Sequence, residues 1–256
     1  MTNYLGEFAA ILTAVCWTFT AVFFALAGRE VGSVVTNRVR LLLAVLLLST
    51  THWLVLASPL PLHAEPERWF WLSISGVIGL AIADAFLFQS YVWIGPRLGM
   101  LLMSSAPVLA TLLAWIFLGE TLGPWQITGI LLTVGGIAWV VLERNGSAVT
   151  PAEKSNFGWG ILFGLGAATG QAIGLITAKK GLGGDFPALS GNLIRMIAAA
   201  AVMWSYTIAR GRAGFTLKRF VSSRSVTLNI LGGSFFGPFI GVWLSLVAVQ
   251  LTHVGV

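Results

Sequence analysis

Asp84 is the residue in this chain whose position most demands a use. It stands among Leu80, Ala81, Ile82, Ala83, Ala85 and Phe86, deep inside an apolar run. A charge at bilayer depth costs at least about 2.5–3.5 kcal/mol on insertion scales, so acids there serve a proton path, a cationic solute or a fixed counter-charge. Phe88 and Tyr91 follow Asp84 at helical spacings of four and seven and share its face, and Gln89 lies about one turn further on. Two readings stand side by side: Asp84 and its neighbours line a substrate or proton pathway, or Asp84 pairs with Arg40 or another fixed group, or lies shallower in the bilayer.

Arg40 and Arg195 are the basic counterparts, each placed just before an apolar run and each three residues after an asparagine, Asn37 and Asn192. Guanidinium offers a rigid fork of donors for carboxylates. Placement near a span entrance favours snorkelling to the headgroups instead. The asparagines suit helix capping or hydrogen bonds between helices. Ser104, Ser105 and Pro107 interrupt another run, where Pro leaves a backbone carbonyl without its helical donor; such breaks are also simply accommodated by neighbouring helices. Other chemistry lacks its parts. Cys16 is the sole cysteine, and His52, His63 and His253 have no ligand-type spacing, which leaves no metal site and no cofactor to expect. No phosphate-binding Gly-Lys-Ser/Thr loop is present. Nor does any nucleophile, base and orienting group recur at one depth, so the chain is not read as an enzyme.

The elements that must position these residues are membrane helices. Hydrophobic residues make up 57% of the chain, charged ones 9%, and the mean hydropathy is +0.88. Soluble domains carry roughly 25% charge. The apolar runs are continuous rather than alternating and roughly 20 residues long, as a helix crossing about 30 Å of hydrocarbon requires. They predict an all-α integral membrane protein with about eight spans, near residues 7–27, 35–57, 69–93, 98–118, 122–142, 158–178, 189–209 and 227–250. Trp53, Trp69, Trp71, Trp93, Trp125 and Trp159 fall close to span ends, where interfacial tryptophans belong. Glycines at 160, 164, 166, 170 and 174 would let the sixth span approach its neighbours closely. The net charge of +6 is then a matter of topology and lipid, with the segment Arg210–Arg224 suited to anionic headgroups, and no nucleic-acid partner is expected.

The chain nearly repeats itself. Asn-x-x-Arg recurs about 155 residues on, and Gly76 and Gly99 stand 23 apart, as do Gly232 and Gly255. The reading is a first unit of five spans over 1–142, a polar linker over 143–157 and a second unit over 158–256 with three spans. An odd number of spans inverts the second unit relative to the first. Trp17 and Gln171 then occupy similar depths in the first helix of each unit. Eleven of the fifteen basic residues lie on the side of loops 1–2, 3–4, 5–6 and 7–8, which by the positive-inside rule places the amino terminus outside.

Trp17, Arg40, the Gly-rich stretch from Gly76, Tyr91 to Gly99, the run from Ser104-Ser105-Ala106-Pro107 to Leu118-Gly119-Glu120, then Gln126 and Gly129 to Gly136 form an ordered pattern. Over residues 6–142 this pattern resembles the EamA domain of the drug/metabolite transporter (DMT) superfamily. The resemblance implies ten helices as two inverted five-helix domains, with both termini on one side and a substrate cavity between the halves. It also implies a secondary transporter, exporter or permease, of small organic metabolites, working by alternating access in a bacterial cytoplasmic membrane. Under it Trp17 becomes a cavity candidate and Glu120 the start of the fifth span. Family habit sets the amino terminus inside, against the charge count. Because Gly255-Val256 corresponds to Gly99-Met100, the second unit lacks its last two helices, and the chain is expected to be a fragment truncated at the C-terminus. The alternative function is a non-transporting or inactive membrane subunit that needs a partner.

Overall fold

The computed structural model describes residues 5–118, 121–145 and 151–251, with helices as the regular elements among them. Helices α1 (Leu5–Val31) and α2 (Ser33–Leu56) are joined only by Gly32, whose φ of 90° is a conformation glycine adopts without a Cβ penalty. Pro66 at the first helical position and Glu67 beside it start α3 (Pro66–Gly76), which passes through a π-helical segment, Val77–Ala83, into α4 (Asp84–Met103). Within α4, Gly95 (φ 82°, ψ 161°) before Pro96 bends the chain so sharply that Tyr91 Oη donates to Met100 Sδ at 2.9 Å. The gap between the spans expected near 69–93 and 98–118 is therefore a one-residue bend at Gly95. After a turn at Ser104-Ser105 the chain continues as α5 (Ala106–Leu118) and α6 (Pro124–Asn145). Four helices follow: α7 (Pro151–Gly181), α8 (Ala188–Ala209), the short α9 (Ala213–Phe220) and α10 (Arg224–Ser234). A second π segment, Phe235–Gly241, leads from α10 into α11 (Val242–Leu251).

Among the described residues, seven helical stretches are long and apolar enough to cross a membrane. The fourth expected span is the exception: it is divided at Ser104-Ser105, and its apolar part Ala106–Ile116 is short by itself.

Small residues set the packing. Along α7, a methyl group added at Gly160, Gly166, Gly170 or Gly174 would meet Ile94, Phe86, Ala83 or the backbone of Gly79, and one at Gly181 would meet Leu72. The order of these contacts makes α7 antiparallel to the α3–α4 stretch. A matching arrangement joins α1 to the α10–α11 stretch, where methyls at Gly233, Gly237 and Gly241 would meet Phe24, Thr20 and Cys16. Thus α7 lies along α3–α4 as α1 lies along α10–α11. Polar contacts mark the two ends of the bundle. Ser225 Oγ donates to Glu30 at 2.9 Å at one end, and Arg68 Nη1 donates to the Gly183 carbonyl at 2.7 Å at the other.

Two elements stand apart from this bundle. On α6, Trp125, Leu131, Leu132, Trp139 and Leu142 are exposed, and Gly129, Gly135 and Gly136 have open space where a Cβ would be. Helix α9 carries Lys218 and Arg219 in its last turn beside exposed Phe215 and Leu217. It rests on α2 through Arg38, which donates from Nη1 to Thr216 Oγ1 at 3.3 Å.

Candidate functional site

The π segments are the local irregularities from which the site is built. A π turn lengthens the hydrogen-bonded ring by one residue and so disturbs the carbonyl ladder, and such turns recur at functional positions. In the first unit two polar side chains of α2 take those carbonyls. Asn37 Nδ2 donates to the Ala81 carbonyl at 3.0 Å, and Arg40 Nη2 donates to the Leu80 carbonyl at 2.6 Å. Arg40 Nε donates to Asn37 Oδ1 at 2.9 Å, which explains the three-residue spacing: one helical turn stacks the two side chains. The same Nη2 donates to Asp84 Oδ2 at 2.5 Å, and the Arg40 guanidinium lies 5.1 Å from the Phe88 ring centroid. Asp84 thus sits where the π segment ends, with Arg40 and Asp84 each 1% exposed.

The second π segment begins 158 residues after the first and contains Pro238, which has no N–H to offer its own helix. Here Asn192 Nδ2 donates to the Pro238 carbonyl at 3.1 Å, one residue before the place that matches Ala81 in this spacing. Arg195, fully buried, departs from the pattern of Arg40: none of its three side-chain nitrogens has a hydrogen-bond partner among the described residues. At the ends of the two π segments, which stand 158 residues apart rather than the 156 of the glycine pairs, Val242 occupies the place that Asp84 holds after the first, and Val242 is buried in the apolar core. The second π segment is therefore matched by an asparagine and an arginine but is not followed by an acid.

The first π segment, α7 and α8 meet at Gly79. A methyl group built there would stand 3.3 Å from Gln171 Oε1 and 3.4 Å from Arg195 Nη2. Gln171 is buried and its Oε1 has no partner among the described residues, and the same holds for Asp84 Oδ1. The result is a buried centre with two guanidinium groups, one carboxylate and an amide oxygen, part of whose hydrogen-bonding capacity is unused. Neither arginine snorkels: position at the start of a span does not imply access to headgroups when a neighbouring helix covers that start. Gly76 shows how close this cover is, since a Cβ there would run into the Arg195 backbone carbonyl.

The remaining candidates are spread out. Trp17 is partly buried against the same core cluster as Phe239 and Trp243. Tyr91 is buried beside Phe24 and Phe88, with Gly99 packed on its ring. Gln89 faces elsewhere, its Oε1 accepting from Ser33 Oγ at 2.6 Å, so it ties α4 to the start of α2. Ser104 is exposed and donates to the Leu101 carbonyl at 2.6 Å, and Pro107 is exposed as well. Glu120 lies outside the described residues; the nearby helix start is capped by Gln126 Oε1, which accepts from the Gly123 N–H at 2.6 Å. His52 is held by Ser190 Oγ, 2.9 Å from its Nε2. Among the described residues no three His, Cys, Asp or Glu side chains come together as a metal site. Gly79 was not singled out by its sequence context; its signal was only that it belongs to a Gly-x-x-Gly pair with Gly76.

Asn192→Ala is expected to destabilise the second unit by about 0.6–1.7 kcal/mol, the range of interhelical hydrogen bonds in membranes. Thermal unfolding in detergent checks this, with Asn229→Ala, at a half-buried position of α10 whose amide makes only a long 3.3 Å bond to Ser225 Oγ, as the less affected control.

Comparisons with known proteins agree with this architecture. The model of the EamA-like transporter family matches residues 4–142. An uncharacterized protein of Pseudomonas aeruginosa, PA1977, is 33% identical over 141 residues, 55% of this chain and 45% of that protein, so the chain spans about half the length of this relative. A solved crystal structure of a protein superposes with a TM-score of 0.59 at 16% identity, covering 100% of this chain and 86% of that one, which is a likeness of fold.

Proposed function

Because the chain belongs to the EamA-like transporter family of the DMT superfamily and is an integral multi-pass membrane protein, we propose that it forms the core of a secondary transporter, an exporter or permease, that carries small organic metabolites by alternating access across a bacterial cytoplasmic membrane. The observation that supports this reading is the pair of π segments, one per unit, each hydrogen-bonded by an asparagine from the preceding span and both bordering one buried polar centre. Irregular backbone and charge at this depth are the parts from which transporters build a midplane site between inverted halves. The glycine contacts of α7 along α3–α4 provide a smooth surface on which one half can rock against the other.

A second reading has its own observation. Helix α6 presents exposed Trp125, Leu131 and Trp139 and open glycines to its surroundings, as a subunit completed by a partner would. One experiment separates the two. The protein reconstituted in liposomes should exchange labelled metabolites across the membrane with saturation. Absence of flux together with copurification of a second protein would favour the subunit.

A further inference from the structure

Resting on the transporter reading, we infer that the buried centre binds the carboxylate of a small monocarboxylic solute, with Arg195 as its partner. The two arginines and Asp84 leave one positive charge without a counter-charge among the described residues. Arg40 spends its Nε and Nη2 on Asn37, Leu80 and Asp84, whereas Nε, Nη1 and Nη2 of Arg195 are all buried and unmet. Arg195 interacts with Asp84 only through space, without a hydrogen bond or ion pair to it. A guanidinium withdrawn from water with nothing to replace its hydration is unfavourable unless a matching group arrives. The first unit supplies that group from its own chain as Asp84; the second carries Val242 at the corresponding place.

Charge selects the ligand class. One carboxylate brings the centre to neutrality, whereas a phosphate dianion overshoots it, and a planar carboxylate suits the parallel donors of a guanidinium. Gln171 Oε1 refines the choice. It is an unmet acceptor facing the same point above Gly79 as Arg195 Nη2, so the solute should also carry a donor, a hydroxyl or amide N–H, near its carboxylate. Absence of a side chain at residue 79 lets Gln171 Oε1 and Arg195 Nη2 converge on one point.

The test uses the full chain in nanodiscs of neutral or of anionic lipid, titrated with lactate, with lactamide as its uncharged isostere, and with inorganic phosphate, and read by calorimetry. Lactate should bind saturably in both lipids and at least about tenfold more tightly than lactamide or phosphate. Arg195→Gln should abolish the difference between lactate and lactamide, and Arg195→Lys should retain part of it. Should Arg195→Gln fail to fold, Val242→Asp decides: an internal carboxylate should raise thermal stability and displace lactate. Equal binding of lactate and lactamide, preference for phosphate, binding only in neutral lipid because an anionic headgroup occupies the centre, or lactate binding undiminished by Val242→Asp would each overturn the assignment. Lactate binding without flux in liposomes would refute transport while leaving the site in place. Flux that neither lactate nor Val242→Asp affects would refute the site and leave transport.

Discussion

Asp84→Asn should be the most damaging polar substitution in the chain, lowering stability by about 3–5 kcal/mol, the usual cost of removing one partner from a buried ion pair. Asparagine keeps the shape and one acceptor, so the loss isolates the charge. Arg40 would retain Asn37 Oδ1 and the Leu80 carbonyl and lose its anion, while Arg195 would lose its through-space interaction with Asp84. Two uncompensated guanidiniums would then share one buried centre. The double variant Asp84→Asn with Arg40→Gln should be more stable than Asp84→Asn alone, because it removes the charge left unpaired. Thermal denaturation in detergent measures both. A single variant as stable as the parent would mean that the pair contributes nothing, and a double variant worse than the single would mean that Arg40 acts through its backbone contacts rather than its charge.

Much of this centre was legible in the sequence because charge is rare in it. Asp84, Arg40 and Arg195 stand out against apolar runs, and the asparagine three residues before each arginine lies on the same helical face. The joins were legible for a similar reason, since Gly95-Pro96 cannot continue a regular helix. The π segments were not, because Val77–Ala83 reads as ordinary apolar helix; the extra residue follows from carbonyls being drawn toward Asn37 and Arg40, partners 40 and more residues away. Snorkelling was favoured for the arginines on the same ground: a sequence gives depth along one helix and not what lies across from it. Gln89 illustrates the limit on the candidate site. Its closeness to Asp84 in sequence suggested a common pathway, yet its rotation around the helix brings it to Ser33 instead.

Gly76→Val should be nearly as disruptive as the loss of Asp84, for a reason unrelated to charge. The Cβ of any larger residue would overlap the carbonyl oxygen, carbonyl carbon and Cα of Arg195, and these are backbone atoms of a helix that cannot rotate away. Overpacking of a core costs about 1–3 kcal/mol where side chains can yield and more where they cannot, so α3 and α8 must separate. That movement displaces Arg195 itself, which couples helix packing to the buried centre. Gly76→Ala should therefore lower the unfolding temperature and weaken carboxylate binding together, whereas Gly129→Ala on α6, where a methyl meets open space, should leave both unchanged or gain slightly from helix propensity. If Gly76→Ala were tolerated with full binding, the two helices would have room to move apart without shifting the arginine. The close crossing would then be dispensable to the site.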